Sequence, residues 1–233
     1  LRYRRYLVGY KRGKYNFTDI LSLNKMGWMV GLQMGLETAL FSITGIMIGW
    51  LGSIALAAHQ VMVAISTLGF MIYYGVGAAV SVRVSNYFGR QDLLHVRRTT
   101  MAGFHLILCL AVCACTVFLF SRELIGYLFT TSEEVIRVVS TLVYILLAYQ
   151  FGDALQITYA NSLRGIGDVI SMAVISFIGY FLIAMPVCYI CGFVLEWGIT
   201  GIWIGYPIGL TLTGVMLCGR YYWKLKTKTQ SKE

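Results

Sequence analysis

Two carboxylic acids stand where an apolar chain rarely tolerates them. Glu37 lies inside the apolar run at 26–50, and Asp153 lies inside the run at 135–161. An acid at the centre of a membrane-spanning helix costs roughly 2.5–3.5 kcal/mol on insertion scales. Such a residue is kept where it faces the bundle interior or a water-filled path and works there. Each acid has polar company at helical spacing. Gln33 and Glu37 are four residues apart, and Thr44 lies seven beyond Glu37. Tyr149 and Asp153 are four apart, and Gln156 continues their face. A second run places Gln60, Thr67 and Tyr74 at intervals of seven. Stripes of this kind can line one aqueous cavity. Two carboxylates with a phenol and an amide offer oxygen ligands to a small hard cation such as Na+. The same acids could instead carry a proton in one state and release it in another. Gln33, Gln60 and Tyr149, being neutral, could equally serve as hydrogen-bonding glue between helices.

The elements that must position these residues are spanning helices. The 233 residues are 58% hydrophobic and 12% charged, with mean hydropathy +0.72. A soluble domain carries about 25% charged residues, so lipid is the better solvent for this surface. Six runs reach the roughly 20 apolar residues that a span needs, at 26–50, 54–82, 101–120, 135–161, 169–191 and 198–219. No period-two alternation supports a barrel. The expected fold is therefore all-α, a polytopic bundle of six transmembrane helices. It divides into a basic linker at 1–19, a six-helix lobe at 20–220 and a basic tail at 221–233. Asn16 to Asp19 offer caps for the first helix, Gly89 a stop for the second and Asp92 a cap for the third.

The 19 Lys and Arg residues cluster between the spans. All but Arg122 and Arg137 fall on one side, which the positive-inside rule makes cytoplasmic. An even number of spans then puts both termini there. Tyr221, Tyr222 and Trp223 read as an interfacial belt on that side, with Trp50 and Trp197 on the other. The net charge of +9 does not form the basic face of a nucleic-acid-binding domain. The six cysteines include Cys188-x-x-Cys191, which without a nearby His or second pair reads as packing. His59, near the outer end of a span, reads the same way. The sequence holds no H-E-x-x-H, G-x-S-x-G or Walker loop, so no enzyme is expected.

Three stretches resemble the multidrug and toxic compound extrusion (MATE) family. They are GLQMGLETALFSITGIMIGWLGSIALAAHQV at 31–61, AVSVRVSNYFGRQD at 79–92 and AYQFGDALQITYANSLRGIGD at 148–168. They are similar to that family's seventh and eighth helices, the end of its eighth, and its tenth helix with the following loop. The family has twelve helices in two lobes, so the resemblance implies the second lobe, entered through the interlobe linker. The start at Leu1 rather than Met fits that expectation. The resemblance also implies a cell-membrane antiporter that exchanges Na+ or H+ for organic cations, drugs and other toxic compounds, with no resident cofactor. Residue by residue it implies a cation site at Glu37, Tyr149 and Asp153, and a substrate cavity in which Gln60 joins Gln33 and Gln156. The family often carries Gly-x-Pro near the start of this first span, where this chain has Gly27-Trp28-Met29. A helix kink at that point is therefore not expected. Two rival readings are a flippase for lipid-linked saccharides from the wider superfamily, and a membrane scaffold that transports nothing.

Overall fold

Short turns cut the apolar sequence into long helices whose ends carry the polar residues. The structure, a computed structural model, describes residues 16–230. The expected linker therefore lies outside the described residues over 1–15, and the expected tail over 231–233. Six helices among the described residues are long and apolar enough to cross a membrane. They are α1 (Phe17–Gly49), α2 (Ser53–Gly89), α3 (Leu93–Phe120), α5 (Glu133–Gly165), α6 (Val169–Val194) and α7 (Gly198–Gln230). A short helix, α4 (Arg122–Phe129), joins α3 to α5.

Most spans outrun the apolar cores read from sequence. Helices of 28–37 residues are about 42–55 Å long at 1.5 Å per residue, against a hydrocarbon thickness of about 30 Å. Their polar ends stay helical as they pass into the headgroup layer. So Asn16 caps α1 by accepting from the Thr18 N–H at 3.3 Å, before the apolar run begins. α7 continues through most of the expected tail, and Tyr221 is buried, its hydroxyl 2.8 Å from that of Thr100 on α3. α4 has no counterpart among the expected spans, because eight residues are too few for one. It buries Ile125 and Gly126, the latter against Ile136 of α5, and exposes Leu124, Tyr127 and Leu128.

α6 is a regular span in the sequence reading, but it widens to π-helical turns at Ile178–Ala184 and Ile190–Val194. The first wide segment precedes Pro186. That proline has no N–H, and its ring crowds the carbonyl four residues back, at Leu182 inside the segment. α7 supplies the complementary surface. Gly201, Gly205 and Gly209 recur every four residues and face Cys191, Cys188 and Ala184, and a Cβ on any of the three would collide. Small residues let two backbones approach closely in lipid, where packing replaces the hydrophobic effect as the driving force. Gly205→Leu should therefore separate α6 from α7 and cost about 1–3 kcal/mol. A thermal melt of the purified chain checks this. A melt unchanged from wild type would show that the seam carries little stability.

The turn between α5 and α6 is tied to α7 by charge. Asp168 is buried and accepts from Arg220 Nε at 2.8 Å and from the Ser171 hydroxyl at 2.8 Å, with Lys224 Nζ at 3.9 Å. Burial alone would raise its carboxyl. The bonds from Arg220 and Ser171 and the charges of Lys224 and Arg220 outweigh burial and hold it below the usual carboxylate value. A depressed folded-state pKa adds stability above the unfolded value, near 4, and loses it as pH falls through the folded value. Asp168→Asn should therefore lower the melting temperature at pH 7, and the gap to wild type should close below about pH 4. A constant gap across that range would assign the effect to lost packing.

α5 is the hub of the lobe and packs most extensively against α7 and α2. The bundle has an apolar cluster near each end of its spans. One gathers Leu40, Ile65, Leu142, Leu146 and Trp203, and the other Val84, Val96, Leu163, Leu217 and Tyr221. Between them, residues 31–39 of α1, 66–77 of α2 and 150–158 of α5 form a layer at mid-depth. That layer holds Gln33, Glu37, Ser66, Tyr73, Gln150, Asp153 and Gln156.

Candidate functional site

α1, α2 and α5 line an open cavity of about 230 Å³. Glu37 and Tyr149 both line it, with Met34, Phe41, Phe70 and Met71 as apolar wall and Ser66 and Thr67 as hydroxyls. Glu37 also borders a smaller polar crevice with Gln33, Tyr74, Gln156, Asn161 and Arg164. Its carboxyl thus separates two spaces. Gln33 Nε2 donates to Glu37 Oε2 at 3.3 Å. The Tyr180 hydroxyl and the Gln156 amide also interact with this carboxyl.

Asp153 lies one turn beyond Tyr149 on α5 and is fully buried. Neither of its carboxylate oxygens has a hydrogen-bond partner among the described residues. It lies within electrostatic reach of Glu37, and the phenols of Tyr149 and Tyr180 lie within reach of both acids. Tyr73 of α2 interacts with Asp153 as well, and its buried hydroxyl is also unpartnered. Gln150 completes the group. It is fully buried, its amide packs against Gly69 of α2, and neither amide atom has a partner among the described residues. A buried carboxylate is costly unless it is paired, protonated or bound to a cation. Asp153 is such a group, and Glu37, half-buried and bonded to Gln33, shares its layer.

The remaining expected residues divide. Gln33 and Gln156 stand beside Glu37, and Gln156 Nε2 donates to Tyr180 OH at 2.6 Å. Gln60 stands apart, exposed on α2 two turns from Thr67 on the same face. Thr44 faces inward and pairs with the Tyr206 hydroxyl of α7, tying two helices rather than lining the cavity. His59 is buried, edge-on to Trp203 at 5.7 Å. Cys188 sits in the α6–α7 seam.

Sequence reasoning missed two members. Tyr180 stands in an apolar run, where a phenol between Gly179 and Phe181 is the available signal. Arg164 looked like a topology-setting loop charge. It is the last-turn base of α5, folded back over Tyr74 at 6.0 Å from the ring centroid. Its guanidinium donates to the Tyr74 hydroxyl, Asn161 Oδ1 and Gln33 Oε1, each at 3.3 Å. No acid lies within ion-pair distance of it among the described residues. Gln33 therefore bridges a guanidinium to a carboxylate: Arg164–Gln33–Glu37.

The described residues thus form a six-helix membrane lobe with Glu37 in the wall of a cavity and Asp153 buried beside it. The sequence model of the MatE family matches residues 30–190. The chain belongs to the MATE family. It is 34% identical over 209 residues to Multidrug resistance protein NorM of Photobacterium profundum, covering 88% of this chain and 46% of that one. It is 33% identical over 214 residues to NorM of Vibrio cholerae, covering 89% and 47%. The chain thus spans about half the length of the curated relatives it matches. Among solved structures, the eukaryotic MATE transporter AtDTX14 superposes with a TM-score of 0.82 at 20% identity, covering 93% of this chain and 51% of that one. That likeness supports the fold.

Proposed function

We propose that the chain is one lobe of a cation-coupled antiporter that exports organic cations, drugs and other toxic compounds across the cell (inner) membrane, with both termini cytoplasmic. The observation that carries this reading is the pair of mid-depth acids, Glu37 in the cavity wall and Asp153 buried behind it without a partner. The coupling ion is Na+ or H+, taken up at Glu37, Tyr149 and Asp153. Met34, Met71, Phe41 and Phe70 give the cavity an adaptable apolar wall suited to varied cargo, and the carboxyl of Glu37 favours cationic cargo over the anionic carrier lipids of a saccharide flippase. The second half of the path is another six-helix lobe.

Transport then follows from competition. With the acids charged, the cavity attracts an organic cation from the cytoplasm. In the outward-facing state a coupling ion neutralises the acids and weakens cargo binding, and the return to the inward-facing state releases the ion. The ion can drive the cycle only through its different affinity for the two states. The test joins the chain to a first lobe and follows ethidium efflux from vesicles under an imposed Na+ or proton gradient. Glu37→Gln and Asp153→Asn should reduce efflux to the gradient-free rate at unchanged protein level. Undiminished gradient-driven efflux in both variants would sink the reading.

A further inference from the structure

A second cavity, larger than the first, lies between α2 and α3 next to the turn that joins them. Its volume is about 400 Å³, within the roughly 300–1,000 Å³ typical of ligand sites. Val76, Val80, Arg83 and Tyr87 line it along α2, and His95, Arg98, Ala102 and Leu106 along α3. Each set recurs every three or four residues, so each is one helix face. Because the two helices are joined by a tight turn, the faces run antiparallel and share one gradient. The turn end is basic and aromatic, and the deep end is apolar. The gradient passes the crossing point at Gly103, where an added Cβ would collide with Val80.

The two arginines at the mouth make no ion pair among the described residues. Asp92 is the acid of this turn, and it is already engaged: it accepts from the His95 backbone N–H at 3.1 Å and from the ring Nδ1 at 2.6 Å. The bond from that backbone N–H, followed by those from the His95 side chain and the charges of His95 and Arg98, holds its carboxyl below the usual value. Tyr87 stacks on the His95 ring at 5.1 Å. Arg97 turns away to lie over Tyr222 at 5.6 Å. That leaves Arg83 and Arg98, both exposed, with no acid within ion-pair distance among the described residues.

We propose that this cleft binds one anionic phospholipid, with its phosphate between Arg83 and Arg98 and an acyl chain along Val76, Val80 and Leu106. Guanidinium groups suit phosphate oxygens through bidentate bonds, and a basic recess between spanning helices at the headgroup level suits an anionic headgroup. The apolar inner wall would gain nothing from a free phosphate, which commits the site to a lipid. The inference is independent of transport activity.

The test titrates the purified chain in neutral detergent with phosphatidylglycerol, phosphatidylcholine or inorganic phosphate, and reads bound lipid by native mass spectrometry. The wild type should retain one phosphatidylglycerol at concentrations where phosphatidylcholine is lost. Arg83→Gln with Arg98→Gln should weaken that binding about 10- to 30-fold, since each base near an anionic lipid surface is worth roughly a factor of five. Arg90→Gln with Lys226→Gln, an equal loss of exposed charge outside the cleft, should leave it within about twofold. Ala102→Trp keeps both arginines but fills the apolar wall, and should also weaken binding. This variant decides the matter if the double arginine variant does not fold. Wild-type affinity in the folded cleft variants, or equal losses in the control pair, would overturn the proposal. Displacement of the lipid by millimolar inorganic phosphate would overturn it in favour of a phosphate site.

Discussion

Asp153→Leu should raise the melting temperature of the lobe and, in a transporter completed by a second lobe, abolish gradient-driven efflux. The two halves of this result have one cause. Asp153 is fully buried, and neither carboxylate oxygen has a partner among the described residues. Charged, it suffers the cost of an unpaired ion in a dry interior, and neutral, it still leaves polar atoms unsatisfied. Replacing buried ionic groups with apolar residues is often neutral or stabilising by about 1–4 kcal/mol. For a chain of this size each kcal/mol moves the melting temperature by about 2–4 °C. Gly152, next in the chain, packs tightly on Thr211, so the bulk of Leu could offset part of the gain. Asp153→Asn, close in size, separates charge from volume. A higher melting temperature with lost coupling marks a residue kept for function against its effect on stability. Lower melting temperatures in both variants would mean that Asp153 holds the fold together, and its place in the coupling site would fall.

The same physics decides how far the sequence alone was legible. Spans are written in composition, because about 20 apolar residues in a row have few other uses. The acids were legible for the same reason, since charge inside such a run stands out against its background. Tyr149 and Gln156 followed from the helical period. What stayed hidden was relational. Tyr180 joins Glu37 only because α6 packs beside α1, and no spacing within one helix predicts a neighbour from another. Gln60 shares the period of Thr67 but stands two turns away on an exposed stretch of the face, because period gives direction and says nothing of depth. The wide turns of α6 depend on Pro186 meeting a partner helix with glycines at 201, 205 and 209. Arg164 was misread for a related reason. Its position between two spans placed it among the topology-setting bases, while its long side chain reaches back toward the polar layer.

Arg164→Gln should tighten the coupling ion and slow the transporter. Arg164 is the one base lining the crevice beside Glu37 among the described residues, and it reaches that acid through the Gln33 amide at two 3.3 Å bonds. A fixed positive charge there competes with any cation that approaches the carboxylate. At an effective dielectric near 20, a unit charge about two hydrogen bonds away is worth roughly 1–2 kcal/mol. Its removal should lower the half-saturating concentration of the coupling ion by about 5- to 30-fold. An ion held that much more tightly leaves more slowly, so maximal efflux should fall as ion affinity rises. Arg164→Lys separates charge from geometry. It keeps the positive charge but cannot donate to Tyr74, Asn161 and Gln33 together, so its ion dependence should stay near wild type even if its stability drops. Measuring efflux rate against imposed ion concentration for the three proteins decides between the roles. If Arg164→Gln changes only protein yield and leaves the half-saturating concentration within about twofold, a shift below 0.5 kcal/mol, Arg164 is a strut between α1, α2 and α5. If that concentration falls while Arg164→Lys preserves it, the guanidinium is the internal counter-charge that lets Glu37 give up its ion.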